Sequence, residues 1–170
     1  MIVDSLPNSR ANADDLVVRV ATAADAPQLA SWNQQLIEDE GHDNTMSLDQ
    51  LVVRMRAWLT TEYQALVFEE PFGSTPVPAP AAYALFRDAP EWIHLRQFFV
   101  VRDRRRRGIG ARAVALLRDT VFPPDKPVIV EAMAWNHAAL SFWRAVGFAD
   151  RYVGLESRPE ASAQRPSRSV

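Results

Sequence analysis

The segment Val100-Val-Arg-Asp-Arg-Arg-Arg-Arg-Gly-Ile-Gly-Ala111 constrains this chain more than any other. A β-branched and aromatic run ends there, an arginine loop follows, and an alanine- and leucine-rich helix begins. A strand that passes through a loop into a helix belongs to a layered α/β architecture. Such a junction gathers unpaired backbone N–H groups and the positive end of a helix at one place. Glycine at 108 and 110 removes Cβ from the approach, and Arg105, Arg106 and Arg107 offer charge-assisted donors to anionic oxygens. A pyrophosphate is the natural guest. No Gly-Lys-Ser/Thr follows, so the loop is not a Walker A. A single Gly-x-Gly that opens a mid-chain helix is not a dinucleotide fingerprint either. The competing readings are a solvated surface turn and a nucleic-acid patch. The second is weakened by the lack of aromatic residues within the run and by a net charge of −2.

The rest of the chain supplies the layers. Leu16–Ala21 reads as a strand, Thr22 as a helix N-cap with Asp25 behind it, and Leu29, Trp32, Leu36 and Ile37 as an apolar helical stripe ending at Gly41. Ser47-Leu-Asp-Gln50 is a capping box for a second helix through Leu51, Met55, Trp58 and Leu59. Strands are expected over 63–68, 81–87, 91–101, 127–134 and 148–155, with helices over 108–121 and 138–146. The prolines between Pro71 and Pro80 predict a long turn, because each removes a backbone donor. The order β-α-α-β-β-β-α-β-α-β implies one mixed sheet, antiparallel first and parallel around the arginine loop. One domain over 16–156 is expected, between loose segments at 1–15 and 157–170.

Composition narrows the class. The chain has 170 residues, 48% of them hydrophobic, enough for a sizeable core, and no apolar run approaches a membrane span. The first residues lack the charged-then-apolar pattern of a secretory signal, so a cytoplasmic location is expected. Without cysteine there is no disulfide, thiolate metal site or cysteine nucleophile. Asp39, His42 and Asp43 match no metal-ligand spacing, and no metal is expected.

Two quoted motifs carry a resemblance. Arg105-Arg-Arg-Gly108-Ile-Gly110 is similar to the Arg/Gln-x-x-Gly-x-Gly/Ala loop of the GNAT superfamily of acyl-CoA N-acyltransferases. Asn136-His-Ala-Ala-Leu-Ser-Phe-Trp-Arg-Ala-Val-Gly-Phe148 resembles that family's Asn-x-x-Ala-x-x-Phe-Tyr-x-x-x-Gly-Phe segment. Their separation and the element order fit as well, so the resemblance covers about residues 16–156. It implies a centrally splayed GNAT-like sheet and acetyl-CoA as cosubstrate. Residues Arg105–Ala111, including Arg106, Arg107, Gly108, Ile109 and Gly110, would surround the pyrophosphate. Phe98 and Val100 would offer backbone groups to the pantetheine arm, and the Val100 N–H would donate to the thioester oxygen. Asn136 would hydrogen-bond the coenzyme arm; its alternative is an N-cap. Many members of the family form homodimers, which is compatible with this chain.

Proton transfer needs a base. Alternation places His94, Arg96, Phe98 and Val100 on one strand face, where relatives often carry a glutamate base, and imidazole with a pKa near ~6.5 suits that role. The alternative is a histidine hydrogen-bonded inside the fold. Glu131, in an otherwise apolar strand, is the second candidate; its alternative is a pair with an arginine such as Arg96. The resembling family's thiolate acid is a tyrosine where this chain has Trp143, whose indole cannot replace a phenol. Tyr152 and Tyr83 are candidates by type, and otherwise transfer is slow or the chain is an acyl-CoA-binding regulatory module. In the family's fold the loop after the first helix walls the acceptor site. The four carboxylates of Glu38, Asp39, Glu40 and Asp43 there would favour a cationic amine of a small molecule or peptide, with Glu38, Glu40 and His42 as substrate-binding candidates; the alternative is a solvated helix end. Neither nucleic acid nor a membrane is expected as a partner.

Overall fold

The computed structural model describes residues 16–41, 43–71 and 78–156. Strand β1 (Val17–Val20) leads through a 3-10 turn at Ala23–Asp25 into helix α1 (Ala26–Glu40), and helix α2 spans Leu48–Leu59. Strands β2 (Gln64–Glu70), β3 (Ala79–Asp88) and β4 (Ile93–Val100) precede helix α3 (Ile109–Leu116), which ends in a π turn at Leu117–Val121. Strand β5 (Val128–Val130) and helix α4 (His137–Ala145) complete the described elements. The sheet order is β1-β2-β3-β4-β5. Its first three pairings are antiparallel and β4–β5 is parallel, the mixed α/β sheet expected from the sequence.

Local chemistry explains most boundaries. Thr22 and Asp25 form their reciprocal contact around the 3-10 turn, so α1 proper begins one turn later, at Ala26 with Pro27 behind it. The Ser47–Gln50 capping box forms as read, with Ser47 N–H donating to Gln50 Oε1 at 2.8 Å. Arg19 ties β1 to its neighbours through Glu69 and Asp25 at 2.7 and 2.8 Å.

Three expectations are corrected. Pro80 belongs to β3 instead of the turn: it pairs with Glu69 beside a bulge, where a missing donor disrupts no ladder bond. Strand β5 covers only Val128–Val130 of the expected 127–134. The last strand, read over 148–155, does not form. Phe148 packs on the core, but Val153 and Leu155 are 81% and 95% exposed, and no described strand pairs with them. Alternating apolar residues suit a pleat, yet a strand exists only with a ladder partner. The loose segments expected at 1–15 and 157–170, and most of the proline-rich turn, lie outside the described residues.

The sheet is covered on both faces. Leu29, Trp32, Leu51 and Met55 of α1 and α2 pack against Val67, Tyr83, Leu85 and Phe99. Ile109, Val114 and Leu117 pack with Trp143 against Phe68, Phe86, Ile93 and Leu95 on the other face. Gly110 sits where α3 meets α4: a Cβ there would lie 3.0 Å from the Phe142 ring and 3.5 Å from Val100. That ring is itself stacked on Phe98, with centroids 5.9 Å apart, so it cannot retreat freely. Gly110→Ala is expected to lower stability by about 1–3 kcal/mol through overpacking, read as a lower urea midpoint at unchanged slope. An unchanged midpoint would show that Phe142 yields without cost.

Candidate active site

Two features meet at the end of β4. The first is the start of α3. Gly108 has left-handed backbone at φ 75°, and Arg106 is also left-handed at φ 61°. No side chain caps the helix, and its first backbone bond runs from Arg112 N–H to the Gly108 carbonyl at 3.0 Å. The N–H groups of Ile109, Gly110 and Ala111 therefore have no acceptor within the helix. A Cβ on Gly108 would meet nothing within 4 Å, so the space beside the loop is open.

The arginines divide into two groups. Arg102 donates to Asp39 and Glu38 at 2.7 and 2.9 Å, and Arg104 to Glu70 at 3.1 Å. Arg105 donates to Asp39 at 2.6 Å and, through Nε, to the Val100 carbonyl at 2.9 Å. Burial works against the Asp39 carboxylate, but hydrogen bonds from Arg102 and Arg105 outweigh it and hold its pKa below the usual range. Arg106 and Arg107 are exposed and form no ion pair among the described residues. The two outer guanidiniums are thus left for an anion, while Arg105 braces the loop. Glu38, read on the acceptor side, is engaged by Arg102, and Asp39 beside it by two guanidiniums. Glu40 lends its backbone carbonyl to the Trp135 indole N–H at 2.9 Å, and His42 lies outside the described residues.

The second feature is a gap in the sheet. Strands β4 and β5 pair only from Ile93–Leu95 to Val128–Val130, after which β4 runs on alone. The Val101 N–H donates toward β3, to Ala81 at 2.9 Å. By strand alternation, the N–H and C=O groups of Phe98 and Val100 point the other way, into the gap.

A bulge reshapes what stands beside this gap. Leu85 pairs with Gln97 but Phe86 pairs with Leu95, so Arg96 is an extra residue. Alternation resets there. Phe98 and Val100 face the α3–α4 side together with Ile93 and Leu95, whereas His94 faces the α2 side, its ring 6.4 Å from that of Tyr63. The expectation of one face for His94, Arg96, Phe98 and Val100 is corrected accordingly.

His94 and Glu131, read as separate candidates, stand together. His94 Nε2 lies 3.9 Å from Glu131 Oε2, and Glu131 Oε1 accepts the Tyr152 hydroxyl at 2.9 Å. These contacts stand in place of the alternative, a Glu131–Arg96 pair. The His94 side chain is 14% exposed and that of Glu131 67%. Burial, opposed by the Glu131 charge, lowers the His94 pKa, so the imidazole is neutral at pH 7. Its Nδ1 is buried without a partner, leaving Nε2 as the working nitrogen. The hydrogen bond to Glu131 raises the Tyr152 pKa, which keeps the phenol protonated.

The sequence profile of the Acetyltransferase (GNAT) family matches residues 32–148, well over half of the chain. The chain belongs to the GNAT acetyltransferase family. Its fold is also that of solved relatives. An aminoglycoside N-acetyltransferase in complex with CoA superposes with a TM-score of 0.64 at 12% identity, over 92% of this chain and 99% of the other. An acetyltransferase from Thermus thermophilus gives 0.63 at 20% identity, over 82% and 88%. A ribosomal-protein-alanine N-acetyltransferase from Brucella melitensis gives 0.60 at 12% identity, over 84% and 99%. No curated protein matches the chain at a significant level of sequence similarity.

Within this GNAT domain the departures from the motifs have structural reasons. Trp143 is buried and fills a cluster with Phe98, Phe142 and Phe148, at centroid distances of 5.5, 5.0 and 5.0 Å. It is a packing residue. Of the two tyrosines read as candidates, Tyr83 is fully buried, donates to Gln97 at 3.0 Å, and has its pKa pushed far up by desolvation. Only Tyr152 reaches the site. Asn136 caps α4 by accepting the Ala139 N–H at 3.0 Å through its side-chain oxygen. Two residues, Trp135 and Arg54, escaped the sequence reading, and Arg96 takes a place that the reading did not anticipate. Trp135 joins the loop after β5 to the end of α1, while Arg54 and Arg96 lie over the Trp58 ring at 4.6 and 4.8 Å. For Arg54 a signal existed, since it falls three residues after Leu51 and four before Trp58, on the inward stripe.

Among the described residues no group of three metal-ligating side chains occurs, and no helix is long and apolar enough to cross a membrane.

Proposed function

We propose that this chain is an acetyl-CoA-dependent N-acetyltransferase that transfers acetyl directly to an amine of a small molecule or peptide. One observation carries the reading: the open end of β4 has unpartnered helix amides and two unpaired arginines at one side, and a neutral histidine beside a carboxylate at the other. That donor set fits the coenzyme. The N–H groups of Ile109, Gly110 and Ala111, with Arg106 and Arg107, would hold the pyrophosphate. Phe98 and Val100 would offer backbone groups to the pantetheine arm, and the Asn136 amide nitrogen, which the cap does not use, would add a further donor.

Bound acetyl-CoA supplies an activated acyl group and a thiolate leaving group. His94 Nε2 takes the proton that the amine must lose, and Glu131 stabilises the resulting imidazolium. The Val100 N–H donates to the carbonyl oxygen, where negative charge grows. The Tyr152 hydroxyl, held protonated on Glu131, is the nearby group that can return a proton to sulfur. The new C–N bond and the broken C–S bond balance with one proton moved from nitrogen to sulfur. No step uses a covalent enzyme intermediate, in keeping with a chain that has no cysteine.

The test is incubation of the purified protein with acetyl-CoA and a panel of amines, following free thiol release and the acetylated product by mass. The expected result is product with at least one amine class. Coenzyme binding without any transfer would instead favour a regulatory acyl-CoA-binding module, the reading that Trp143 motivates.

A further inference from the structure

The surface beside His94 carries positive charge that no carboxylate among the described residues pairs with. Arg54 on α2 and Arg96 at the β4 bulge both lie over the Trp58 ring, their guanidinium carbons 4.6 and 4.8 Å from its centroid. Arg96 is also 5.8 Å from the Tyr63 ring, which has Trp58, Arg87 and the His94 imidazole around it at 5.6, 5.7 and 6.4 Å. The two arginines are therefore close to each other and to the proposed base.

Neither has a carboxylate partner among the described residues. Arg54 is held only by neutral groups: one terminal nitrogen donates to buried Asn33 Oδ1 at 2.8 Å and the other to Met46 sulfur at 3.1 Å. Its Nε is buried with no acceptor at all. Burial, together with the Arg96 charge, weakens its hold on its proton. Several other arginines, Arg19, Arg87, Arg102, Arg104, Arg105 and Arg144, do reach carboxylates. A half-buried guanidinium such as Arg54 without a counter-charge costs some stability, and a second like charge on the same indole, the exposed Arg96, adds to the cost. The aromatic ring repays part of that through cation–π contact with both groups.

We infer that Arg54 and Arg96 form a carboxylate clamp in the acceptor site, so that the preferred acceptor is an amine whose molecule also bears a carboxylate, as an amino acid does. The inference rests on the transferase reading and sharpens its acceptor class. It also replaces the cationic preference drawn from the acidic stretch after α1, since Glu38 and Asp39 there already serve Arg102 and Arg105. A carboxylate on the clamp would leave the acceptor's amine on the His94 side of the cleft.

The experiment compares amino acids with their carboxamides, which keep the amine and remove the negative charge. Turnover with acetyl-CoA is measured for each pair, and calorimetric binding is measured for the N-acetylated acids and their amides. The expected result is a preference of about tenfold or more for the acid in both readouts, as for a charge-assisted bidentate contact. Arg96→Gln, at an exposed position, should bring both ratios close to one while acetyl-CoA affinity stays the same. Arg54→Lys keeps the charge but loses the fork, and should give an intermediate ratio; it covers the case in which a neutral Arg54 variant does not fold. Equal binding and turnover of acids and amides by the wild type would overturn the clamp and leave the transferase reading standing. Failure to bind acetyl-CoA would remove the transferase reading, while the acid-against-amide binding ratio would still decide the clamp.

Discussion

Replacing Gly108 by tryptophan is expected to weaken acetyl-CoA binding by about 100-fold or more, some 2.7 kcal/mol, in a protein that still folds. Both halves of that statement come from the same geometry. The backbone at Gly108 is left-handed, a conformation that costs an L-residue roughly 1–2 kcal/mol, so some stability is lost. A Cβ there meets nothing within 4 Å, so the side chain starts out into open space. It does fill the space onto which the Ile109, Gly110 and Ala111 amides open. Gly108→Ala is the necessary companion, because it brings the same backbone strain without the bulk. It should melt like Gly108→Trp and bind acetyl-CoA within about threefold of wild type, less than 0.7 kcal/mol. Calorimetric titration and thermal melts of the three proteins decide the matter. Undiminished binding by Gly108→Trp would mean that the helix start is not the phosphate site.

Loss of the His94 imidazole should produce the largest effect on turnover. His94→Ala is expected to lower kcat by roughly 100- to 1,000-fold, within the range of positioned general bases, with acetyl-CoA affinity unaltered. Glu131→Gln keeps the shape and an acceptor for the Tyr152 hydroxyl but removes the charge, so a smaller loss of about tenfold is expected. The pH profile separates catalysis from support. The base must be neutral to work, so kcat/KM should fall as pH drops through the His94 pKa. Burial, the leading cause, places that pKa below the ordinary imidazole value of 6.5. The Glu131 charge raises it and the Arg96 charge lowers it. Glu131→Gln should therefore move the acidic limb to still lower pH, and Arg96→Gln should move it back toward neutrality. A limb that stays in place in both variants would take His94 out of the proton-transfer step.

Several of these parts could be read in the sequence because they are written locally. The capping box at Ser47–Gln50, the helix stop at Gly41 and the strand–loop–helix junction at 100–111 each depend on a handful of neighbouring residues. The family's two motifs are of the same kind. Glu131 and His94 could be named as candidates, since a carboxylate and an imidazole stand out in apolar strands. Their partnership could not. Local periodicity also failed at two strands. The run after Phe148 has strand character but no ladder partner, and Tyr152 instead reaches Glu131 across 21 positions.

The bulge at Arg96 shows the limit most clearly. Alternation along a strand is a covalent property, but a bulge is decided by how two strands register, and that depends on the pairing of β3 with β4. One extra residue turns His94 to the α2 face and carries Arg96 over Trp58. The arginine loop shows the same limit for charge. Asp39 meets Arg102 and Arg105 from more than 60 positions away, so which arginines remain open to a ligand follows from chain folding alone. The sequence by itself determined the element order as far as the last helix, the family and the strand–loop–helix junction, because local torsions and local donors specify them. The tertiary structure decided which charges are paired, which face His94 occupies, and that two arginines stand uncompensated beside it. Those outcomes arise from contacts between segments far apart in the chain, which local sequence preferences do not encode.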